Sequence, residues 1–265
     1  MAIPTDFPGL QPFLAEPQRS ALLFDVDGTL APIVVDPGAA AVPDSTRRLL
    51  EALRRRYELL ACISGRRALE ARRIVGLDSI TYVGNHGLEL LEPGASGAIT
   101  DPAVRPLAEA VKAFAKRAYD AQLRGLGVRL EDKDAIWSFH WRGVLEEAAA
   151  REALGAVASE ADRKGLVPKW GRMVLEIRPP IGTDKGTAVA AALDGRPLAR
   201  ALYAGDDTTD LDAFRKLRAL AADNRIDALC VGVRSSEGPD AIEREADLVV
   251  DGPEGVAELL GALAR

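Results

Sequence analysis

The sequence predicts an α/β fold built on a parallel sheet and interrupted by a segment of α+β type. Short apolar runs alternate with helical patterns in residues 21–83 and again in 201–263, which is typical of a parallel sheet covered by helices on both faces. Residues 105–178 differ, because there a helix, two paired strands, a second helix and a further strand follow one another. That order is typical of an α+β domain.

Each element of the predicted core rests on apolar periodicity. Leu49, Leu50 and Leu53 share one face of a predicted helix, as expected of a helix that covers a sheet. The predicted strands of the core are 21–26, 59–63, 80–83, 201–204, 228–233 and 246–250, and the predicted helices are 44–56, 66–75, 209–220 and 254–263.

The middle segment is predicted as one inserted domain, residues 105–178, between core residues 1–104 and 179–265. Leu107, Val111 and Phe114 are in helical register within 105–124. Strands are predicted at 128–130, 135–141 and 173–177, with a second helix at 144–164. Prolines at 102, 106, 179 and 180 mark both junctions, as is common in linkers between domains.

Composition excludes several functional classes. The chain has 265 residues, is 48% hydrophobic and carries a net charge of −6, which favours a folded protein and argues against nucleic-acid binding through bulk charge. No apolar run reaches the ~18 residues of a membrane span, and residues 1–20 lack the apolar core of a signal peptide. Cys62 and Cys230 lie in apolar runs, as buried thiols of a reducing compartment do. We therefore expect a cytoplasmic protein. A monomer is a separate expectation, which does not follow from composition.

A pair of aspartates follows the first predicted strand. Asp25 and Asp27 are separated by one residue and precede Gly28, and open α/β sheets bind ligands at the carboxyl ends of their strands. One carboxylate can attack phosphorus, while the second protonates the leaving alcohol and then activates water. A turn rich in Asp and Gly is the structural alternative.

A second acidic group follows the predicted strand 201–204. Asp206 and Asp207 come directly after Gly205, and clustered carboxylates on a tight turn suit a hard cation such as Mg²⁺. Helix capping is the alternative, with Thr208 or Thr209 as the cap and acids in the first turn. The two interpretations are compatible.

Two shorter patterns complete a predicted phosphate site. Ser64-Gly65-Arg66 lies between a strand and a helix, where backbone N–H groups bind anions. Lys185 lies at a predicted helix start, against the helix dipole, so we expect a fixed anion beside it. Either pattern alone is more often structural, but the order Asp pair, Ser, Lys, Asp pair is far more specific.

These four patterns resemble those of the haloacid dehalogenase-like phosphatases with an α+β cap. The chain further resembles the trehalose-6-phosphate phosphatases from about Ala21 to Val233. That resemblance is carried by the segments 23–32, 64–66, 84–88, 131–133, 140–142, 176–179, 184–186 and 205–214. It implies a Rossmann-like parallel-sheet core with an inserted α+β cap domain.

The resemblance also implies roles for individual residues. Asp25 would be the nucleophile and Asp27 the general acid/base, with Ser64 and Lys185 stabilising the transferring phosphoryl group. Mg²⁺ would be held by Asp25, the backbone carbonyl of Asp27, Asp206 and, in support, Asp207. Substrate binding is implied for Gly65, Arg66, His86, Glu131, Lys133, His140, Arg142, Arg172 and Glu176.

Three positions depart from the pattern of that family. Leu211 stands between Asp210 and Asp212 where the family often has Glu, and we expect it to pack in the core. Trp141 replaces a common Tyr, and Arg172 replaces a common Lys, which exchanges a point charge for a planar fork.

The resemblance implies a Mg²⁺-dependent phosphatase of trehalose 6-phosphate that acts through an aspartyl-phosphate. The alternatives are a related capped phosphatase of another sugar phosphate, a non-catalytic sugar-phosphate sensor and a phosphotransferase or mutase.

Overall fold

The computed structural model of the chain describes residues 7, 9–34, 36–171, 173–235 and 238–265. The chain divides into two compact units, one formed by Met1–Ile99 with Thr183–Arg265 and the other by Thr100–Gly182. The functions assigned above to the two segments stay predictions.

The first unit is built on a mixed sheet. Its order, for the described residues, is β12-β11-β10-β1-β2-β3-β4-β5. The strands are β1 (Ser20–Phe24), β2 (Leu59–Ile63), β3 (Thr81–Gly84), β4 (Glu89–Leu91), β5 (Ile99–Thr100), β10 (Arg200–Gly205), β11 (Asp227–Arg234) and β12 (Leu248–Asp251). The six strands from β12 to β3 are parallel, whereas β4 is antiparallel to β3. Only four residues, 85–88, separate β3 from β4, and so short a connection requires an antiparallel neighbour.

Helices cover both faces of this sheet, which confirms the predicted α/β fold. Leu22 and Phe24 of β1 lie in one core cluster with α2, α3 and α10, while Ala21 and Leu23 lie in a second cluster with α7, α8 and α9. The helices are α1 (Gln11–Ala15), α2 (Asp44–Arg54), α3 (Ala68–Val75), α7 (Lys185–Leu193), α8 (Asp210–Ala222), α9 (Asp240–Glu245) and α10 (Gly252–Leu263). The period of two along β1 thus divides its side chains between two apolar layers.

The second unit has a sheet and a core of its own. Its antiparallel sheet has the order β6-β7-β9-β8, with β6 (Arg129–Asp132), β7 (Trp137–His140), β8 (Val167–Gly171) and β9 (Val174–Arg178). The helices are α4 (Arg105–Ala118), α5 (Ala121–Gly125) and α6 (Glu147–Arg163). Phe139 and Leu175 lie on the apolar face of the sheet, in one cluster with Phe114 and Leu154 of α4 and α6.

One sequence expectation for this unit was wrong, and one strand was not predicted. The helix predicted over 105–124 is two helices, because Tyr119 leaves the helical conformation (ψ 75°) and the Asp120 side chain caps α5 by accepting from the Leu123 N–H. Strand β8 was not predicted, because Pro168, Lys169 and Gly171 lack the apolar alternation of a strand.

Both cysteines and Leu211 lie in the apolar interior, as expected from the sequence. Cys62 and Cys230 are buried free thiols on β2 and β11, and Leu211 is buried in the second core cluster. In the described part of the chain, no helix has the length and apolar character needed to cross a bilayer.

Candidate active site

Asp25 lies at the carboxyl end of β1, in the middle of the sheet. Its backbone N–H donates to the Ala204 carbonyl at 2.9 Å, which continues the pairing of β1 with β10. The chain then turns through Gly28, whose φ is +85°. A Cβ at Gly28 would lie 2.2 Å from Asp206 Oδ2. The glycine therefore allows the turn and the close approach of Asp206.

Lys185 is the first residue of α7 and lies buried between two carboxylates. Its Nζ is 2.8 Å from Asp25 Oδ1 and 2.6 Å from Asp210 Oδ1. Asp184 caps the helix by accepting from the Thr187 N–H at 2.7 Å, which fixes the first turn. Burial alone would lower the pKa of Lys185, but Asp210 and Asp25 outweigh it and raise the pKa. The expected anion beside this lysine is thus present.

Asp210 organises the loop that follows β10. It is fully buried, and its Oδ1 accepts from Lys185 and from the Tyr203 hydroxyl, both at 2.6 Å. Its Oδ2 accepts from the backbone N–H groups of Asp206 and Asp207, at 3.1 and 3.0 Å. Four donors therefore hold one carboxylate, which positions the loop against the start of α8.

Three buried carboxylates lie together at this end of the sheet. Oxygens of Asp25, Asp206 and Asp210 lie within 4.8 Å of one another. Burial raises the pKa of Asp25 well above its usual value, with Asp210 and Asp206 adding to the rise against the opposing effect of Lys185. Burial and the nearby Asp210 raise the pKa of Asp206 to about 7. One ammonium group thus faces three carboxylates, and the oxygen ligands and excess negative charge fit a divalent cation.

Asp27 is held by the guanidinium group of Arg66. Nε and Nη2 of Arg66 donate to Oδ2 and Oδ1 of Asp27 at 2.6 and 2.7 Å, a bidentate pair. The Arg66 backbone N–H donates to Ser64 Oγ at 3.1 Å, and the Ser64 N–H donates to the Val83 carbonyl at 2.9 Å. Ser64, Arg66 and Asp27 therefore form one connected group.

The turn after β3 lies against the loop after β2. Asn85 and His86 both have positive φ, 49° and 54°, and the His86 N–H donates to the Ser64 carbonyl at 3.1 Å. A Cβ on Gly65 would lie 2.7 Å from His86 Nε2, so the ring fills the space that a side chain at 65 would need. The buried Glu89 accepts from Asn85 Nδ2 at 2.6 Å and from the first N–H of α3 at 2.7 Å.

Several predicted sugar-binding residues lie on the polar face of the sheet in the second unit. The register places Glu131, Ser138 and Glu176 in one row across β6, β7 and β9. His140 Nε2 lies 2.7 Å from Glu131 Oε2, and Lys133 Nζ lies 3.0 Å from Glu176 Oε1. Lys133 Nζ also lies 3.8 Å from Glu131 Oε2, so four of the predicted residues form one connected polar network.

Among the described residues, the side chains of Asp207 and Arg142 make no hydrogen bond or ion pair with these groups. Asp207 is exposed, and its Oδ1 accepts from the Thr208 N–H at 2.6 Å. Arg142 is exposed, and Arg172 lies outside the described residues. Of the three tryptophans, Trp137 and Trp141 are buried, whereas Trp170 is 47% exposed.

Sequence reasoning missed several residues of these groups. Asp210 was interpreted as a first-turn acid of a helix capped by Thr208 or Thr209, yet neither threonine supplies a side-chain cap to α8. The sequence did contain a signal for this role. Asp210 is an acidic residue four positions after Asp206, and it is the first residue of the helix. Tyr203 was missed because it lies inside an apolar strand, and nothing in the sequence places Arg178 on Glu176, where it donates at 2.6 and 3.0 Å.

Comparison with known proteins yields one family for most of the chain. The family model described as Trehalose-phosphatase matches residues 23–245. A trehalose-phosphate phosphatase of Mycobacterium marinum is 34% identical over 260 residues, which is 93% of this chain and 62% of that protein. The chain therefore spans about three fifths of the length of this relative.

Solved structures agree with that assignment. The C-terminal domain of Candida albicans trehalose-6-phosphate phosphatase has a TM-score of 0.78 at 25% identity, over 97% of this chain and 96% of that one. A haloacid dehalogenase-like hydrolase from Bacteroides thetaiotaomicron has a TM-score of 0.64 at 14% identity, over 91% of this chain and 98% of that one, and shares the fold.

Proposed function

This chain belongs to the trehalose-phosphatase family, and we propose that it hydrolyses trehalose 6-phosphate to trehalose and phosphate through an aspartyl-phosphate on Asp25. The observation that carries the proposal is the contact of Asp25 with Lys185 at 2.8 Å, inside a buried group of carboxylates. An acyl phosphate forms when a carboxylate attacks phosphorus, and a fixed ammonium group offsets the charge on the transferring oxygens.

In the first half of the reaction, one oxygen of Asp25 forms a bond to phosphorus while the bond from phosphorus to the sugar oxygen breaks. Asp27, protonated on one oxygen and held by Arg66 through the other, donates its proton to that leaving oxygen, so that trehalose departs as a neutral alcohol. The Ser64 hydroxyl and the Lys185 ammonium group donate hydrogen bonds to the phosphoryl oxygens.

In the second half, water attacks phosphorus and the bond to Asp25 breaks. Asp27, now ionised, takes the proton of the attacking water. Phosphate leaves, and both aspartates return to their starting states.

We propose Mg²⁺ as the cation of this site, held by Asp25 and Asp206, the backbone carbonyl of Asp27 and, in support, Asp207. When bound, it would offset negative charge on the phosphate and on the carboxylates. The residues themselves favour this assignment, because burial and the nearby Asp210 raise the pKa values of both Asp25 and Asp206. Asp210 accepts from Lys185, Tyr203 and two N–H groups, and its role is to hold Lys185 and the loop.

We assign catalysis to the core, residues 1–104 and 179–265, and sugar recognition to the cap, residues 105–178. Charged side chains form strong hydrogen bonds with sugar hydroxyls, and the cap residues assigned to this role are Glu131, Lys133, His140, Arg142, Arg172 and Glu176. Gly65, Arg66 and His86 are assigned to substrate binding in the core. A cytoplasmic location and a monomer complete the proposal.

A panel of sugar phosphates, compared by kcat/KM in the presence of Mg²⁺, tests this function. Trehalose 6-phosphate should exceed sucrose 6-phosphate, glucosylglycerol phosphate and glucose 6-phosphate by at least about tenfold, which is ~1.4 kcal/mol of transition-state binding. A better substrate elsewhere in the panel would overturn the assignment of trehalose 6-phosphate.

Two other outcomes would overturn the reaction class. Binding of trehalose 6-phosphate without release of phosphate would identify a sensor. Transfer of the phosphoryl group to a sugar in preference to water would identify a phosphotransferase or mutase.

A further inference from the structure

Glu70 is an acidic residue outside the predicted site that contacts the guanidinium group of Arg66. Nη1 of Arg66 donates to Glu70 Oε1, while Nε and Nη2 donate to the two oxygens of Asp27. The side chain of Arg66 is only 16% exposed. One guanidinium group therefore connects Glu70 to the carboxylate that we propose as the general acid/base.

The position of Glu70 is fixed by the helix that carries it. Glu70 lies in the first turn of α3, where the helix dipole stabilises a negative charge. The start of α3 is itself held, because the Ala68 N–H donates to the buried Glu89 at 2.7 Å. The backbone position from which Glu70 contacts Nη1 is thus fixed.

We propose that Glu70 is a positioning residue, which acts through Arg66 to aim the carboxylate of Asp27. The planar guanidinium group binds a carboxylate in a defined orientation, so a carboxylate fixed on Nη1 sets the plane in which Asp27 is held. Without Glu70, Arg66 still pairs with Asp27, but the plane of the guanidinium group is less restrained, and so is the orientation of the Asp27 carboxylate. The inference rests on the proposed function, since it gives Asp27 the task of moving a proton.

The leaving group distinguishes this role from a purely structural one. The alcohol of a sugar phosphate departs as a neutral molecule only if it receives a proton, whereas 4-nitrophenolate departs as an anion. Poor aim of Asp27 therefore slows release of the sugar far more than release of 4-nitrophenolate. General loosening of the site slows both.

The experiment measures kcat/KM for trehalose 6-phosphate and 4-nitrophenyl phosphate in the Glu70→Leu and Glu70→Gln variants, both with good helix formers at the position. This ratio covers the reaction only up to departure of the leaving group, and so excludes the hydrolysis of the aspartyl-phosphate, which is common to both substrates and also uses Asp27. For Glu70→Leu we expect kcat/KM to fall on the order of tenfold with the sugar phosphate and less than about twofold with the aryl phosphate. Glu70→Gln should recover part of the loss, because its amide oxygen still accepts from Nη1.

The matched control is Asp44→Asn. Asp44 is also a first-turn acid, on α2, and it pairs with Arg47 at 2.7 Å. This variant should leave both rates unchanged.

Arg66→Lys should enlarge the difference between the two substrates, because an ammonium group cannot form the bidentate pair.

Equal losses with both substrates, or no loss with either, would overturn the role of Glu70. Thermal unfolding of each variant identifies a folding defect, and Glu70→Gln decides the question if Glu70→Leu does not fold. If another sugar phosphate proves to be the substrate, its comparison with the aryl phosphate still decides the role of Glu70, whereas an unaltered chain without phosphatase activity would overturn both proposals.

Discussion

Gly28 is the position where a single methyl group should damage the site most directly. The change is Gly28→Ala, which adds one carbon next to the carboxylate of Asp206 and removes no ionisable group. We expect it to weaken both activity and the dependence on Mg²⁺.

The expected magnitude follows from two separate costs. The positive φ of Gly28 costs an L-residue about 1–2 kcal/mol. The new Cβ would lie 2.2 Å from Asp206 Oδ2, whereas ordinary contact begins at 3.4 Å, so the carboxylate has to retreat by the difference of 1.2 Å. Asp206 is buried and accepts from Thr29 Oγ1 at 3.1 Å, which makes this movement a case of overpacking, at about 1–3 kcal/mol. The sum is about 2–5 kcal/mol of stability, and a displacement of about 1 Å typically costs about 10²-fold in rate.

The assay compares Gly28→Ala with Gly94→Ala. Gly94 also has a positive φ, 75°, but a Cβ there would meet nothing within 4 Å, so this variant carries the backbone cost alone. Thermal unfolding and the Mg²⁺ concentration for half-maximal phosphate release are measured for both. Gly28→Ala should lose about 10²-fold in kcat and require more Mg²⁺, while Gly94→Ala should keep its activity and lose about 1–2 kcal/mol.

A Gly28→Ala variant whose activity and Mg²⁺ requirement match those of Gly94→Ala would refute this reasoning. It would mean that Asp206 moves without consequence, and hence that its carboxylate does not hold the cation.

Three further changes test other parts of the site. Asp25→Asn should retain less than about 1% of the activity while the chain still folds, and a higher residual rate would exclude Asp25 as the nucleophile. Tyr203→Phe should lower the free energy of unfolding by about 1–2 kcal/mol, because a buried hydrogen bond to Asp210 is lost; denaturant titration would contradict this by giving equal midpoints. Glu131→Ala should reduce kcat/KM for trehalose 6-phosphate but not for 4-nitrophenyl phosphate, with Glu109→Ala on α4 as control, and equal losses with the two substrates would argue against sugar recognition by Glu131.

The sequence predicts the strands of the core well, because their apolar runs are short and bounded by polar turns. Residues 59–63 were predicted as a strand and form β2, and the prediction for 201–204 lies within β10. Strand β4 escaped prediction, because its three residues, Glu89–Leu91, are too few to display a period. Its location depends on the turn at Asn85 and His86, whose positive φ values are not encoded in an apolar pattern.

The site could be predicted as far as its residues follow strands. Asp25, Ser64 and Asp206 each come directly after a strand of one parallel sheet, so their common location follows from topology. The hydrogen-bond partners could not be predicted in the same way. The hydrogen bonds of Tyr203 with Asp210 and of Glu89 with Asn85 depend on how the side chains pack in three dimensions. From the sequence alone, Tyr203 is only one more residue of an apolar strand.

The pairing of β1 with β10 has a consequence for how this chain is made. Residues Ser20 and Arg200 are partners, so 180 residues must emerge from the ribosome after Ser20 before the two strands can meet, roughly 10–40 s at usual rates of synthesis. During that time the contiguous unit Thr100–Gly182, which has its own core, is completed. Until β10 is made, one edge of β1 has no strand to pair with. All five residues of β1 are buried in the folded protein. Slow translation through residues 100–182 therefore prolongs the exposure of an unpaired apolar strand to other nascent chains.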